Sequence, residues 1–111
     1  MTDRQSLKDL ERRLAEAKGP NFELERLIAE VVDRESALYR PPNYTASLDA
    51  AVSLVERVLP GCTVDLTIGA LSDAQVMDAD AAIHGNAEDA PTPALALCLA
   101  CVRALIAQGE K

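Results

Sequence analysis

Cys98-x-x-Cys101 is the pairing in this 111-residue chain that comes nearest to chemistry. Residues at i and i+3 of a helix lie near one face, so two thiols there can form a redox pair or supply half of a zinc site that Cys62 and His84 would complete. Both readings ask for surroundings the sequence lacks. A redox pair works from a helix N-terminus, where the dipole lowers the thiol pKa, whereas this pair sits in the second turn of the apolar run from Ala94 to Val102. One His with scattered Cys is also not the spacing of a zinc ribbon. The three cysteines are therefore expected to be small buried hydrophobes, reduced and metal-free, with no disulfide.

His84 is the only histidine, and Asp78, Asp80, Glu88 and Asp89 flank it in sequence. An imidazole among carboxylates suits acid–base chemistry or a divalent cation. The spacing is not that of an EF-hand, no Ser or Cys nucleophile adjoins a base, and no Gly-rich phosphate loop occurs, so these carboxylates read as solvated loop groups. A better cluster is Tyr39, Arg40, Tyr44, Ser47 and Asp49. Pro41-Pro42 stiffens a loop that runs into a helix start, where an aromatic ring, a guanidinium and free N–H groups together suit a small anionic or nucleotide-like ligand. Capping by Thr45 and stapling by Tyr44 explain much of the same neighbourhood with no ligand at all. No residue is assigned a catalytic role, and no metal or cofactor is implied.

The elements that must position these residues follow from periodicity. Ser6, with Asp9 three residues on and Leu7, Leu10 and Leu14 at i, i+3 and i+7, starts a first helix. Its other face, Lys8, Glu11, Arg12, Arg13 and Glu16, reads as a solvated run of mixed charge. Gly19-Pro20 ends it, and Asn21 caps a second helix from Phe22 to about Asp33, making a hairpin over residues 1–33. Residues 34–43, with the two prolines, form a connector. A third helix capped by Thr45 carries Leu48, Ala51, Val52, Val55, Val58 and Leu59 and stops at Pro60-Gly61. Cys62, Val64, Leu66 and Ile68 then alternate with polar residues and Gly69, which predicts a half-buried strand. Ala74 to His84 holds one return strand or two short ones, irregular because Asp78 and Asp80 suit strands poorly. Gly85 to Pro91 reads as a polar loop. Thr92 as N-cap, Pro93 at the first helical position and Gly109 as the stop bound a final helix that is apolar nearly all round.

The fold class is α+β: one domain over 1–111, in which two helices precede a helix, a small antiparallel sheet of two or three strands and a long buried C-terminal helix (44–111), layered as a sandwich. The net charge of −7 is uneven, −2 over residues 1–61 and −5 over 62–111, and an acidic chain repels phosphate backbones and anionic lipid. Nucleic acid and membrane surfaces are accordingly excluded as partners. The order helix, strands, helix also matches the double-stranded-RNA-binding domain, but that module needs a basic start to its closing helix, where this chain has Thr92-Pro93-Ala94. With no apolar leader and no long apolar run, a soluble cytoplasmic protein is expected. The final helix's stripe of Ala96, Ala100, Arg103 and Ala107 is small enough for another helix to approach, which predicts a homodimer through that face, unless the first two helices fold back over it.

Pro42-x-Tyr44-Thr45-Ala46-Ser47-Leu48-Asp49-Ala50-Ala51, a short β region and Thr92-Pro93-Ala94-Leu95-Ala96-Leu97-Cys98 occur in that order. Together they resemble the phage ABA-sandwich family of small phage and prophage proteins over roughly Leu24 to Ile106. The resemblance implies a compact layered fold and a phage or prophage origin, hence the cytoplasm of a bacterial host, and brings no catalytic residue with it. The function expected is a non-catalytic accessory protein acting by protein binding or self-assembly. The alternative is a small-ligand binder, such as a sponge for a nucleotide signal, at the Tyr44 loop, and an enzyme ranks third.

Overall fold

The computed structural model describes residues 4–19, 21–32, 43–78 and 83–109. Among them are helices α1 (Arg4–Glu16), α2 (Phe22–Val32) and α3 (Leu48–Val58), strands β1 (Thr63–Thr67), β2 (Ser72–Met77) and β3 (Ile83–Ala90), and helix α4 (Pro93–Gly109). The strands form one antiparallel sheet in the order β1-β2-β3. The protein is thus α+β, with the sheet at three strands.

Helix α4 starts as its sequence predicts, with the Thr92 hydroxyl accepting from the Leu95 N–H at 3.1 Å and Pro93 opening the helix. It is the middle layer. Strands β2 and β3 lie against one side, and α1 and α3 against the other, so every side chain from Ala94 to Val102 is at most 5% exposed. A helix apolar around its whole circumference needs cover on both flanks, and this arrangement supplies it. The leucines of α1 (Leu7, Leu10, Leu14), with Leu24 and Ile28 of α2 and Leu54 and Val55 of α3, complete the core.

The approach of α4 to the sheet is set by small residues. The inner face of β2 is Ser72, Ala74 and Val76, and their neighbours across the strand pair in β3 are Ala90, Ala87 and Gly85. A Cβ added at Gly85 would overlap the carbonyl oxygen of Ala100 and sit 2.7 Å from the backbone nitrogen of Ala104. Glycine is therefore required by contact with α4, whatever its backbone angle.

Several expectations change. The segment from Gly85, read as a loop, is strand to Ala90: its inward positions are Gly and Ala because α4 leaves no room for the β-branched residues that mark strands in a sequence. The pairing slips twice, once where His84 is the extra residue between Gly85 and Ile83, and again where Glu88 and Asp89 face the single Asp73. Asp89 takes φ 58° at that second bulge, and its N–H donates to the Asp73 carboxylate at 2.9 Å. Thr45 does not cap α3. The chain turns through 44–46 first, the N–H groups of Ala46 and Ser47 donating to the Asn43 carbonyl, and Ser47 becomes the N-cap, its hydroxyl accepting from Ala50 N–H at 3.3 Å. Helix α1 begins at Arg4, so Ser6 lies within it. Ile68 lies past the end of β1 and is 64% exposed. Asn21 caps α2 as predicted, accepting from Leu24 N–H at 3.2 Å.

Two substitutions test this packing. Gly85→Ala is expected to cost about 3 kcal/mol or more, because two backbones must part, and to lower Tm by roughly 10 °C or more. Ser72→Ala should leave Tm unchanged or raise it: the Ser72 hydroxyl is buried with no hydrogen-bond partner among the described residues, so its removal relieves an uncompensated desolvation. Thermal melts by circular dichroism check both, and a Gly85→Ala protein as stable as the parent would disprove the close approach.

Candidate functional site

The polar groups that the fold draws together inside the protein lie where α2 meets the turn before α3. Glu25, 6% exposed, accepts hydrogen bonds at Oε2 from the Thr45 N–H (3.2 Å) and the Thr45 hydroxyl (2.8 Å). The Thr45 oxygen in turn accepts from the Asn21 N–H at 2.9 Å. Directly beside it, the Cys98 thiol donates to the Tyr44 carbonyl at 3.5 Å, which ties the same turn to α4. Each element contributes for a local reason: Asn21 precedes α2 as its cap, Glu25 faces inward with Ile28 and Ala29, and the 43–46 turn aims both the N–H and the hydroxyl of Thr45 at α2. A carboxyl and a hydroxyl 2.8 Å apart have the composition of an acid–base pair. Thr45 is fully buried, however, so nothing reaches the pair unless α2 moves, and its work is to hold α2 onto the core.

Of the ligand cluster expected from sequence, Tyr39 and Arg40 lie outside the described residues. Tyr44 is fully buried, and its side chain belongs to the core rather than to a ligand surface. Ser47 is taken up in capping α3, and Asp49 is exposed in that helix's first turn. Among the described members of the cluster, then, the Tyr44 ring is turned inward and the Ser47 hydroxyl is engaged within the chain.

The dimer stripe is also used within the chain. Ala96 and Ala100 are fully buried, Ala100 under Gly85 of β3. Arg103 donates through Nε to Glu11 at 2.9 Å and through Nη1 to the Asn86 carbonyl at 2.7 Å, joining α1, α4 and β3. Ala107 alone of the four is a half-buried residue with no such role shown. The sheet on one side and α1 on the other cover Ala96 and Ala100, whereas the fold-back alternative names both of the first two helices. Glu11, read as part of a solvated run, is here a partly buried partner of Arg103.

The thiols behave as the apolar surroundings dictate. Burial pushes Cys98 well above the ordinary thiol value, with Cys101 and then Glu25 adding to the shift. Burial likewise pushes Cys101 up, to about 12, with Cys62 adding to it. These are poor nucleophiles. The three cysteines are free, and among the described residues no three His, Cys, Asp or Glu side chains gather into a metal-ligand set. His84 stands at a bulge of β3 rather than in a loop, and its side chain, like Asp80, lies outside the described residues. Glu88 and Asp89 are exposed at the far end of that strand.

Sequence reasoning missed Glu25, although a signal was present: positions 25, 28, 29 and 32 form an i, i+3, i+4, i+7 set in which Glu25 is the one polar member. It also missed the exposure of Ile68 (64%) and Leu71 (54%), which flank the turn between β1 and β2. No protein-family model matches the chain, and neither does any curated protein or solved structure. No helix among the described residues is long and apolar enough to cross a membrane.

Removing the hydroxyl in Thr45→Val takes from the Glu25 oxygen the shorter of its two hydrogen bonds, leaving that to the Thr45 N–H, and strands the Asn21 N–H, and is expected to cost about 2 kcal/mol, most of it recovered by Thr45→Ser. Urea titrations measure both. Iodoacetamide at pH 8 should alkylate Cys62 alone until the protein unfolds, read as one added group by mass spectrometry. In the unfolded chain the thiols lose their protons near 9.0, whereas folded Cys101 keeps its proton to about 12. Above pH 9 the unfolded state therefore binds fewer protons, and stability must fall as pH rises across that interval. A Tm unchanged from pH 8 to 10.5 would contradict the burial of these thiols.

Proposed function

We propose that this is a non-catalytic accessory protein, of phage or prophage origin and acting in the cytoplasm of a bacterial host, that works by binding a polypeptide. What supports a binding role over catalysis is how the reactive-looking groups are used: Glu25 and Thr45 fasten α2, Arg103 joins three elements, and Cys98 and Cys101 are held protonated in the core. The observation that carries the reading is the pair Ile68 and Leu71. Two large apolar side chains more than half exposed at one hairpin end are costly to leave in water and are the kind of group that anchors a protein contact. The acidic sheet half, net −5, argues against nucleic acid in that role.

Native mass spectrometry of the protein isolated from its bacterial host tests this. The expected result is a complex whose added mass is a whole polypeptide, lost when Ile68 and Leu71 are both replaced by Ser while the melting temperature is kept. A bound mass of a few hundred daltons in its place would overturn the proposal in favour of a small-ligand protein.

A further inference from the structure

From the sheet we infer that β1 is a docking edge for an extended segment of another protein, one that presents a basic residue opposite Asp65 and apolar residues opposite Val64 and Leu66. The inference rests on the protein-binding reading above and names the surface and the chemistry of the partner.

The two edges of the sheet differ. The outer edge of β3 is interrupted by two bulges and by Asp89 at positive φ, features that spoil a template for pairing. In contrast, β1 pairs with β2 over five consecutive residues without a slip, and among the described residues it pairs with no other strand. Alternate N–H and C=O groups of Thr63–Thr67 are therefore directed outward in regular array. Its side chains are also incompletely covered. Helix α4 lies over β2 and β3 and barely reaches β1, so Val64 and Leu66 are only half-buried although they point to the core layer. An added strand would cover them from the side, and Ile68 and Leu71 stand at the end of the same edge.

Charge selects the occupant. Thr63, Asp65 and Thr67 form the outer face of β1, and Asp73 and Gln75 lie across the pair from Thr67 and Asp65. A second copy of this chain, paired about a two-fold through the middle of β1 so as to use all five residues, would set Asp65 against Asp65. Like charges directly opposite destabilise a strand pair, whereas a Lys or Arg there stabilises it. The occupant is accordingly a basic strand from a different protein.

The test uses the full chain labelled with ¹⁵N and the acetylated, amidated peptide Ser-Thr-Val-Lys-Val-Thr-Ser, with a control in which Glu replaces Lys. The lysine peptide should shift the amides of Thr63–Thr67, protect from exchange those that were fast in the free protein, and bind about fivefold tighter than the glutamate peptide, the size expected for exchanging an attractive for a repulsive cross-strand pair. In Asp65→Lys, an exposed change that should leave the melting temperature alone, the preference should reverse. Equal affinity of the two peptides, shifts confined to other elements, slow exchange of all five β1 amides in the free monomer, or a dimer by light scattering with β1 protected would each overturn the assignment. If a polypeptide partner is found by native mass spectrometry and Asp65→Lys still retains it, the edge is wrong and protein binding stands. If the peptides bind β1 as stated while the isolated protein carries only a small molecule, the reading of function fails and the edge stands.

Discussion

The contact between Gly85 and the backbone of α4 at Ala100 and Ala104 sets the distance between the sheet and the helix it carries, and much of the remaining structure follows from that distance. With the helix so close, most of the facing strand positions are small, Ala74, Ala87 and Ala90 among them, and the larger Val76 is paired with Gly85 itself. Short side chains bury little apolar area each, so the stabilisation has to come from the number of buried residues along α4 rather than from a few large ones. The chain has one phenylalanine, Phe22, which is exposed, two tyrosines, of which Tyr44 is buried, and no tryptophan, so large rings contribute little to this interior. Close packing also makes it intolerant of added volume, because dense interiors transmit displacement instead of absorbing it.

A helix buried on both flanks needs fastenings for the layer on its far side, and two polar nodes provide them. Arg103 reaches from α4 to Glu11 of α1 and to the Asn86 carbonyl of β3, so one guanidinium bridges all three layers. Glu25 fastens α2 to the turn before α3 through both donors of Thr45, while Cys98 joins that turn to α4 through the Tyr44 carbonyl. Buried polar groups of this kind are costly unless satisfied, and satisfied they fix one arrangement of the elements out of several that hydrophobic contact alone would allow. Their consumption in structure is also why the chemistry suggested by a Glu–Thr pair and by two cysteines one helical turn apart does not become a reactive site.

What the sequence made legible is what is local. Caps at Asn21 and Thr92, the stop signals at Gly19 and Pro60-Gly61, the 3.6-residue stripes of the helices and the alternation of β1 depend on neighbours within a few residues, and each appears where periodicity put it. Strand β3 was hidden because its pattern answers to α4, some fifteen residues further along: Gly and Ala there signal proximity to a helix and resemble loop composition when read alone. The burial of Tyr44 was hidden for a related reason. A tyrosine beside prolines and a helix start looks available to a ligand, and only the tertiary fold shows it wholly inside, with Ser47 rather than Thr45 ending the turn as N-cap. Ala100, expected to face a second chain, lies instead under Gly85 of β3 in the same chain, a contact that no local pattern announces.

The same demand for closeness explains the asymmetry of the sheet. Small residues on β2 and β3 draw α4 over that side, and a helix is too narrow to cover three strands when it sits over two. The strand left behind bears the larger side chains, Val64 and Leu66, which extend toward the core layer but remain half-buried because the helix axis lies away from them. An edge strand with partly covered apolar residues, and with one side that no other described strand pairs, invites unwanted pairing, and natural sheets counter this with charge or irregularity. Here β3 carries irregularity and β1 carries Asp65 at its centre. A bulge blocks every comer, whereas a carboxylate repels some and attracts others, so the device chosen at β1 is the one that leaves an edge selective rather than closed.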